Sequence, residues 1–115
     1  MTSGILDTNI LISALMNDST SAECGEFVEL LQRGDVSARL HVLVLHELTY
    51  ALTRALPQMT RSKIATYILE ILSWRGIECD VPLFLATAEA WGGTAGLSFV
   101  DAYLGNMALR DNCSV

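Results

Sequence analysis

Short apolar runs alternate with longer segments of helical spacing along all 115 residues, and that alternation leaves few folds open. Ile5-Leu6 reads as the end of a first short strand, and Thr8 to Met16 then carries Ile10, Leu11, Ala14 and Leu15 at helical spacing. The polar turn from Asn17 to Ser21 leads into a helix over about Ala22 to Gln32, stopped by Gly34. Arg39 to Val44 is the clearest strand, short and rich in β-branched residues. The next helix, about Leu45 to Leu56, aligns Leu45, Leu48, Leu52 and Leu56 on one stripe and ends at Pro57. A further helix runs from about Thr60 to Trp74, apolar at Ile64, Tyr67, Ile68, Ile71 and Leu72, with Gly76 as its stop signal. Ile77 to Val81 predicts a strand, Leu83 to Trp91 a helix, Gly92 to Gly96 a turn and Ser98 to Arg110 another helix. Cys113-Ser114-Val115 has the look of an opening strand. The order predicts one α/β domain over residues 1–115, with a mainly parallel sheet and helices on both faces.

Three acids fall at the predicted passages from apolar segment to helix: Asp7, Glu47 and Asp101. In alternating strand and helix folds such junctions gather at one end of the sheet, where ligands bind. Each acid also has a purely structural explanation. Asp7 can cap a helix, Glu47 in a first helical turn gains from the helix dipole, and Ser98 to Asp101 resembles a capping box. Taken together they point elsewhere, because carboxylates gathered from distant segments repel one another and invite a cation. An all-oxygen set suits a hard ion such as Mg²⁺ or Mn²⁺. Such an ion activates water and stabilises a departing oxygen, which is the chemistry of phosphodiester hydrolysis.

Composition narrows the class further. The chain is 51% hydrophobic and 17% charged, against about 25% charged in an average soluble domain. That balance excludes disorder and favours a sheet buried on both faces, and it permits surface hidden in a dimer or partner complex. The formal charge of −6 is the wrong overall sign for a dedicated nucleic-acid binder. Attraction to nucleic acid must then be local, from metal ions or a few arginines, or a basic partner covers an acidic face. Arg54, Arg61, Lys63 and Arg75 fall on two consecutive helices as a candidate phosphate patch, although a solvated face is the commoner meaning of such charges.

The longest apolar runs fall far short of the ~20 residues that cross a bilayer. Asp7 interrupts the first of them, which argues against a signal peptide and for a cytoplasmic protein without a membrane span. Cys24, Cys79 and Cys113 match neither a disulfide framework nor a zinc pattern and read as buried free thiols. Gly-x-x-x-x-Gly-Lys-Ser/Thr, Gly-x-Gly-x-x-Gly and Gly-x-Ser-x-Gly are all absent, so the common nucleotide-binding and serine-hydrolase signatures are excluded. His46 beside Glu47 can touch a substrate, but a structural role is the commoner one for a lone histidine at a helix start, and His41 reads as a strand residue. Thr8 and Asn9 can orient Asp7 through hydrogen bonds, or simply begin the helix.

The segments Ile5-Leu6-Asp7-Thr8-Asn9-Ile10-Leu11-Ile12, Val42-Leu43-Val44-Leu45-His46-Glu47-Leu48 and Phe99-Val100-Asp101-Ala102-Tyr103-Leu104 resemble those of the PIN domain family, above all the VapC-type toxins of bacterial toxin–antitoxin pairs. The resemblance runs through the chain in order and spacing. It implies a three-layer α/β/α sandwich and a Mg²⁺- or Mn²⁺-dependent endoribonuclease acting on RNA. Asp7, Glu47 and Asp101 match the family's metal-binding acids, with Thr8 or Asn9 as support. It further implies a homodimer silenced by an antitoxin that enters the acidic groove.

The family commonly carries a fourth acid after its next strand, and a further helix and strand. Here Val115 falls within the opening of that strand, and Asp111 precedes it. The expectation is therefore a fold with its last strand and helix missing or incomplete, one metal position largely intact and reduced nuclease activity. Two other functions fit the same residues. One is a non-catalytic PIN-like module that binds an antitoxin-like partner or itself; the other is a nuclease directed at DNA.

Overall fold

The computed structural model describes residues 4–16 and 21–111. Its elements run β1 (Gly4–Ile5), α1 (Thr8–Met16), α2 (Ser21–Arg33), β2 (Ala38–Arg39), α3 (Val42–Ala55), α4 (Arg61–Leu72), β3 (Ile77–Glu78), α5 (Val81–Gly93) and α6 (Phe99–Arg110). The predicted turn residues Asn17 to Thr20 and the predicted strand at Cys113 to Val115 lie outside the described residues. The class is the expected one: among the described residues, an α/β protein with a parallel sheet in the order β1-β2-β3 and six helices, the arrangement of an α/β/α sandwich.

The sheet is held by very short pairings. Gly4 and Ile5 lie opposite Ala38 and Arg39, which lie opposite Ile77 and Glu78. The ladder continues one residue further through Leu6 N–H to the Arg39 carbonyl at 2.8 Å and Leu40 N–H to the Glu78 carbonyl at 3.0 Å. Beyond that point capping overrides strand propensity. His41 Nδ1 accepts the Leu43 N–H at 3.1 Å, so α3 begins at Val42. The strand predicted over Arg39 to Val44 is thus Ala38–Arg39, and His41 is an N-cap, not a strand residue. Likewise Asp80 Oδ1 accepts the Leu83 N–H at 3.3 Å and starts α5 at Val81, so the strand predicted to reach Val81 ends at Glu78. A side-chain acceptor that satisfies an open helix N–H, the His41 ring in one case and the Asp80 carboxylate in the other, sets these boundaries against the β-branched residues beside them.

The leucine stripe of α3 turns inward at Leu45, Leu48 and Leu52, with Leu56 half-buried at the helix end. Ile64, Ile68 and Ile71 of α4 are fully buried, and Leu11, Leu31 and Phe99 complete the best-packed part of the core. Helix α3 packs against α1, α4 and α6, while α5 lies between α4 and α6. The Tyr67 hydroxyl donates to the Leu11 carbonyl at 2.8 Å and ties α4 to α1. Burial, helped by the nearby Glu70 charge, pushes that phenol up to about 12.

Glycines mark the close approaches. Gly34, at φ +83°, ends α2 as predicted: the N–H groups of Gly34 and Asp35 return to the carbonyls of Leu31 and Leu30 at 3.1 and 2.9 Å. Gly76 does more than stop a helix. Helix α4 already ends at Leu72, and a Cβ on Gly76 would lie 2.1 Å from the Val36 carbonyl oxygen. The segment leading into β3 fits against the end of α2 only because that atom is missing. Gly92, expected in a turn, lies within α5, where its bare backbone lets the helix pass Ala65 of α4.

Candidate functional site

Asp7 follows β1 and caps α1, its Oδ1 accepting the Asn9 N–H at 3.1 Å. Support for Asp7 therefore comes from the Asn9 backbone, while Thr8 is buried. Asp101 is the third residue of α6, where its N–H is held by the Ser98 Oγ at 3.1 Å; the Ser98 cap is real. Glu47 departs from expectation. With α3 starting at Val42, it sits in the second helical turn and not at a strand-to-helix junction. The helix dipole fades beyond the first turn, so that explanation for Glu47 is withdrawn.

All three acids are exposed. The carboxylates of Glu47 and Asp101 form no hydrogen bond or ion pair among the described residues. Helix α3 packs on both α1 and α6, so the elements bearing the three acids are neighbours. Among the described residues, however, no group of three or more His, Cys, Asp or Glu side chains is assembled to hold a metal ion. Donor chemistry and assembly thus separate. The oxygens are of the right kind for a hard divalent cation, but no closed cage is formed, as expected of like charges on a solvated surface with no counter-charge between them.

Asp111 is not available as a further ligand of that kind. It is the C-cap of α6 and its Oδ1 accepts from Arg110 Nε at 3.1 Å. Asp80, which sequence reasoning passed over, pairs with Arg110 across the α5–α6 contact. That pairing, with the Leu83 N–H, holds the Asp80 carboxyl below its ordinary range. The signal for Asp80 was present as an acid just before the Val81-Pro82 start of a helix.

A cavity of about 460 Å³ opens between α3, α4 and the segment that enters α6. It is lined by His46, Tyr50 and Arg54 of α3, by Trp91 of α5 and by Phe99 of α6. Arg61 reaches into it, but not as the phosphate ligand its helix suggested. Its Nη1 donates to the carbonyls of Trp91, Thr94 and Leu97 at 3.0, 3.3 and 2.7 Å, and its guanidinium lies 4.4 Å from the Trp91 ring centre. Arg61 caps α5 and fixes the loop that precedes Asp101. Cys24 and Cys79 are free and half-buried, and burial beside Asp80 pushes the Cys79 thiol up to about 11.

The family model of the PIN domain matches residues 4–115. The chain belongs to the PIN domain family. PIN domains are in general metal-dependent nucleases, and the parallel sheet with its surrounding helices is the scaffold of a PIN domain. Comparison with curated proteins and with solved structures gave no match. Among the described residues of this PIN domain, no helix is long and apolar enough to cross a membrane.

Proposed function

We propose that this PIN domain is a Mg²⁺- or Mn²⁺-dependent endoribonuclease of the toxin–antitoxin type, with Asp7, Glu47 and Asp101 as its metal-binding and catalytic acids. The observation that carries the reading is Glu47. It is exposed, caps nothing and pairs with nothing among the described residues, yet it stands on the helix that packs against both α1, which Asp7 precedes, and α6, which carries Asp101. A stabilising role does not account for it.

Asp7, Glu47 and Asp101 would hold a hard divalent ion, which would supply an activated water and stabilisation of the departing oxygen. The chain's own part is to position. Asp7 is held through one oxygen by the Asn9 N–H, which leaves the other for a ligand. Asp101 is placed by the Ser98 cap, and Ser98 by the loop that Arg61 fixes. The amide groups opening α1 and α6 favour an anionic phosphate nearby. A basic antitoxin entering the acidic surface, and a homodimer in the cytoplasm, belong to the same proposal. The net charge of −6 is what a basic partner would match.

The test is incubation of the whole chain with structured RNA and with single-stranded DNA, in Mn²⁺ or EDTA, beside Asp101→Asn. The expected result is Mn²⁺-dependent RNA cleavage, lost in EDTA. Asp101→Asn should reduce it by more than the roughly 10–100-fold that outer partners of a metal cost. A second reading, a binding module without catalysis, is favoured by the lack of an assembled cage among the described residues. It is the conclusion if cleavage is absent or indifferent to both EDTA and Asp101→Asn.

A further inference from the structure

Two side chains of the cavity between α3 and the entry to α6, Tyr50 and Arg54, have no packing role that explains them. Tyr50 leaves 64% of its surface open at the rim. Arg54 lies 5.8 Å from the Tyr50 ring centre and enters no ion pair or hydrogen bond among the described residues. The chain carries thirteen acids and seven bases. Two of those seven bases line this cavity: Arg61, whose Nη1 is committed to backbone carbonyls, and Arg54. The lining is apolar at Trp91 and Phe99, and His46, which also lines the cavity, has its Nδ1 buried without a hydrogen-bond partner among the described residues. Buried polar atoms left unpaired are uncommon and costly, and a small ring movement toward a polar ligand relieves the cost.

We propose that this cavity receives one unstacked base of a single-stranded RNA. The base stacks on Tyr50, its edge faces His46, and the adjoining phosphate meets Arg54. Aromatic faces next to arginine are the general means of holding unpaired bases, with the cation placed for the backbone. The volume lies within the range of ligand pockets, about 300–1,000 Å³. Register favours the same strand reaching the acids. Glu47, Tyr50 and Arg54 follow one another at helical spacing of three and four residues on the exposed side of α3, and Ser98 and Phe99 of the cavity lead directly to Asp101. The position next to the acids rests on the nuclease reading; base binding itself does not.

The test is equilibrium binding of a short labelled RNA to the whole chain in EDTA, where cleavage plays no part. An abasic strand of the same length and the variants Tyr50→Ala and Arg54→Gln, both at exposed positions, complete the set. Tyr50→Ala should weaken RNA binding by roughly five- to a hundredfold while leaving the weaker binding of the abasic strand unchanged. Arg54→Gln should weaken both strands and flatten the salt dependence. Circular dichroism confirms that each variant is folded. No binding by the parent chain, equal affinity for the abasic strand, or unchanged affinity in Tyr50→Ala each overturns the proposal. Loss of self-association in the variants with RNA affinity intact would assign the face to a protein contact and overturn it too. Failure of cleavage in Mn²⁺ with binding as expected would defeat the nuclease reading alone.

Discussion

Replacing Arg61 should cost more stability than any other charged residue on α4, because its side chain does the work of a helix cap. Nη1 carries two hydrogens, so its contacts at 2.7 Å to Leu97 and 3.0 Å to Trp91 are full bonds and the 3.3 Å contact to Thr94 is shared. Each bond from a charged donor contributes about 1.5–3 kcal/mol, and stacking on Trp91 adds about 0.5–2 kcal/mol. Thr94 lies on an exposed stretch and the Leu97 segment is half-buried, so water re-solvates part of what is lost. The net loss for Arg61→Met, which keeps the apolar stem, should be about 2–4 kcal/mol. Urea unfolding followed by far-ultraviolet circular dichroism measures it, and the melting temperature should fall by about 8–16 °C. Arg61→Lys preserves the charge but not the planar fork and should recover less than half. A loss below about 1 kcal/mol in Arg61→Met, or full recovery in Arg61→Lys, would refute the capping role.

Gly76→Ala should destabilise by about 3 kcal/mol, at the upper end of overpacking costs, because the new Cβ meets the backbone of Val36 and Leu31 and no movable side chain; chemical denaturation reads it directly. Asp80→Asn retains an N-cap for α5 but loses the ionic partner of Arg110. Since the folded pKa of Asp80 is lowered, its contribution is fully present above the unfolded value of about 4 and fades as pH falls through the folded value below that. Stability curves of parent and Asp80→Asn should therefore differ at neutral pH and converge in acid. Cys79, with its thiol pushed up to about 11, should react with iodoacetamide far more slowly at neutral pH in the folded chain than in urea, with mass spectrometry locating the adduct.

Much of the architecture was legible in one dimension. The leucines of α3 and the isoleucines of α4 recur at helical spacing, and burial follows that spacing almost residue for residue. Gly34 was legible as a stop because a left-handed residue at a helix end is nearly always glycine. Strand limits were not legible. Val42, Leu43 and Val44 have the composition of a strand, and only the side chain of His41 turning back to the Leu43 N–H makes them the first turn of α3. That shift put Glu47 in the second turn of α3 and removed its simplest structural explanation.

What the sequence alone determined is therefore periodicity and chemistry: an alternation that produces a parallel α/β fold, and acids of a kind a hard cation takes. Both depend on local spacing and residue type, which the chain carries wherever it lies. Tertiary structure decided which groups meet. It assigned Arg61 to three backbone carbonyls and not to a phosphate, Gly76 to a contact with α2, and Asp80 to Arg110. It also left Glu47 and Asp101 without partners among the described residues, on neighbouring helices. Contacts between residues some thirty positions apart, as between Arg61 and Trp91, arise from the packing of whole helices. No periodicity within either segment encodes them.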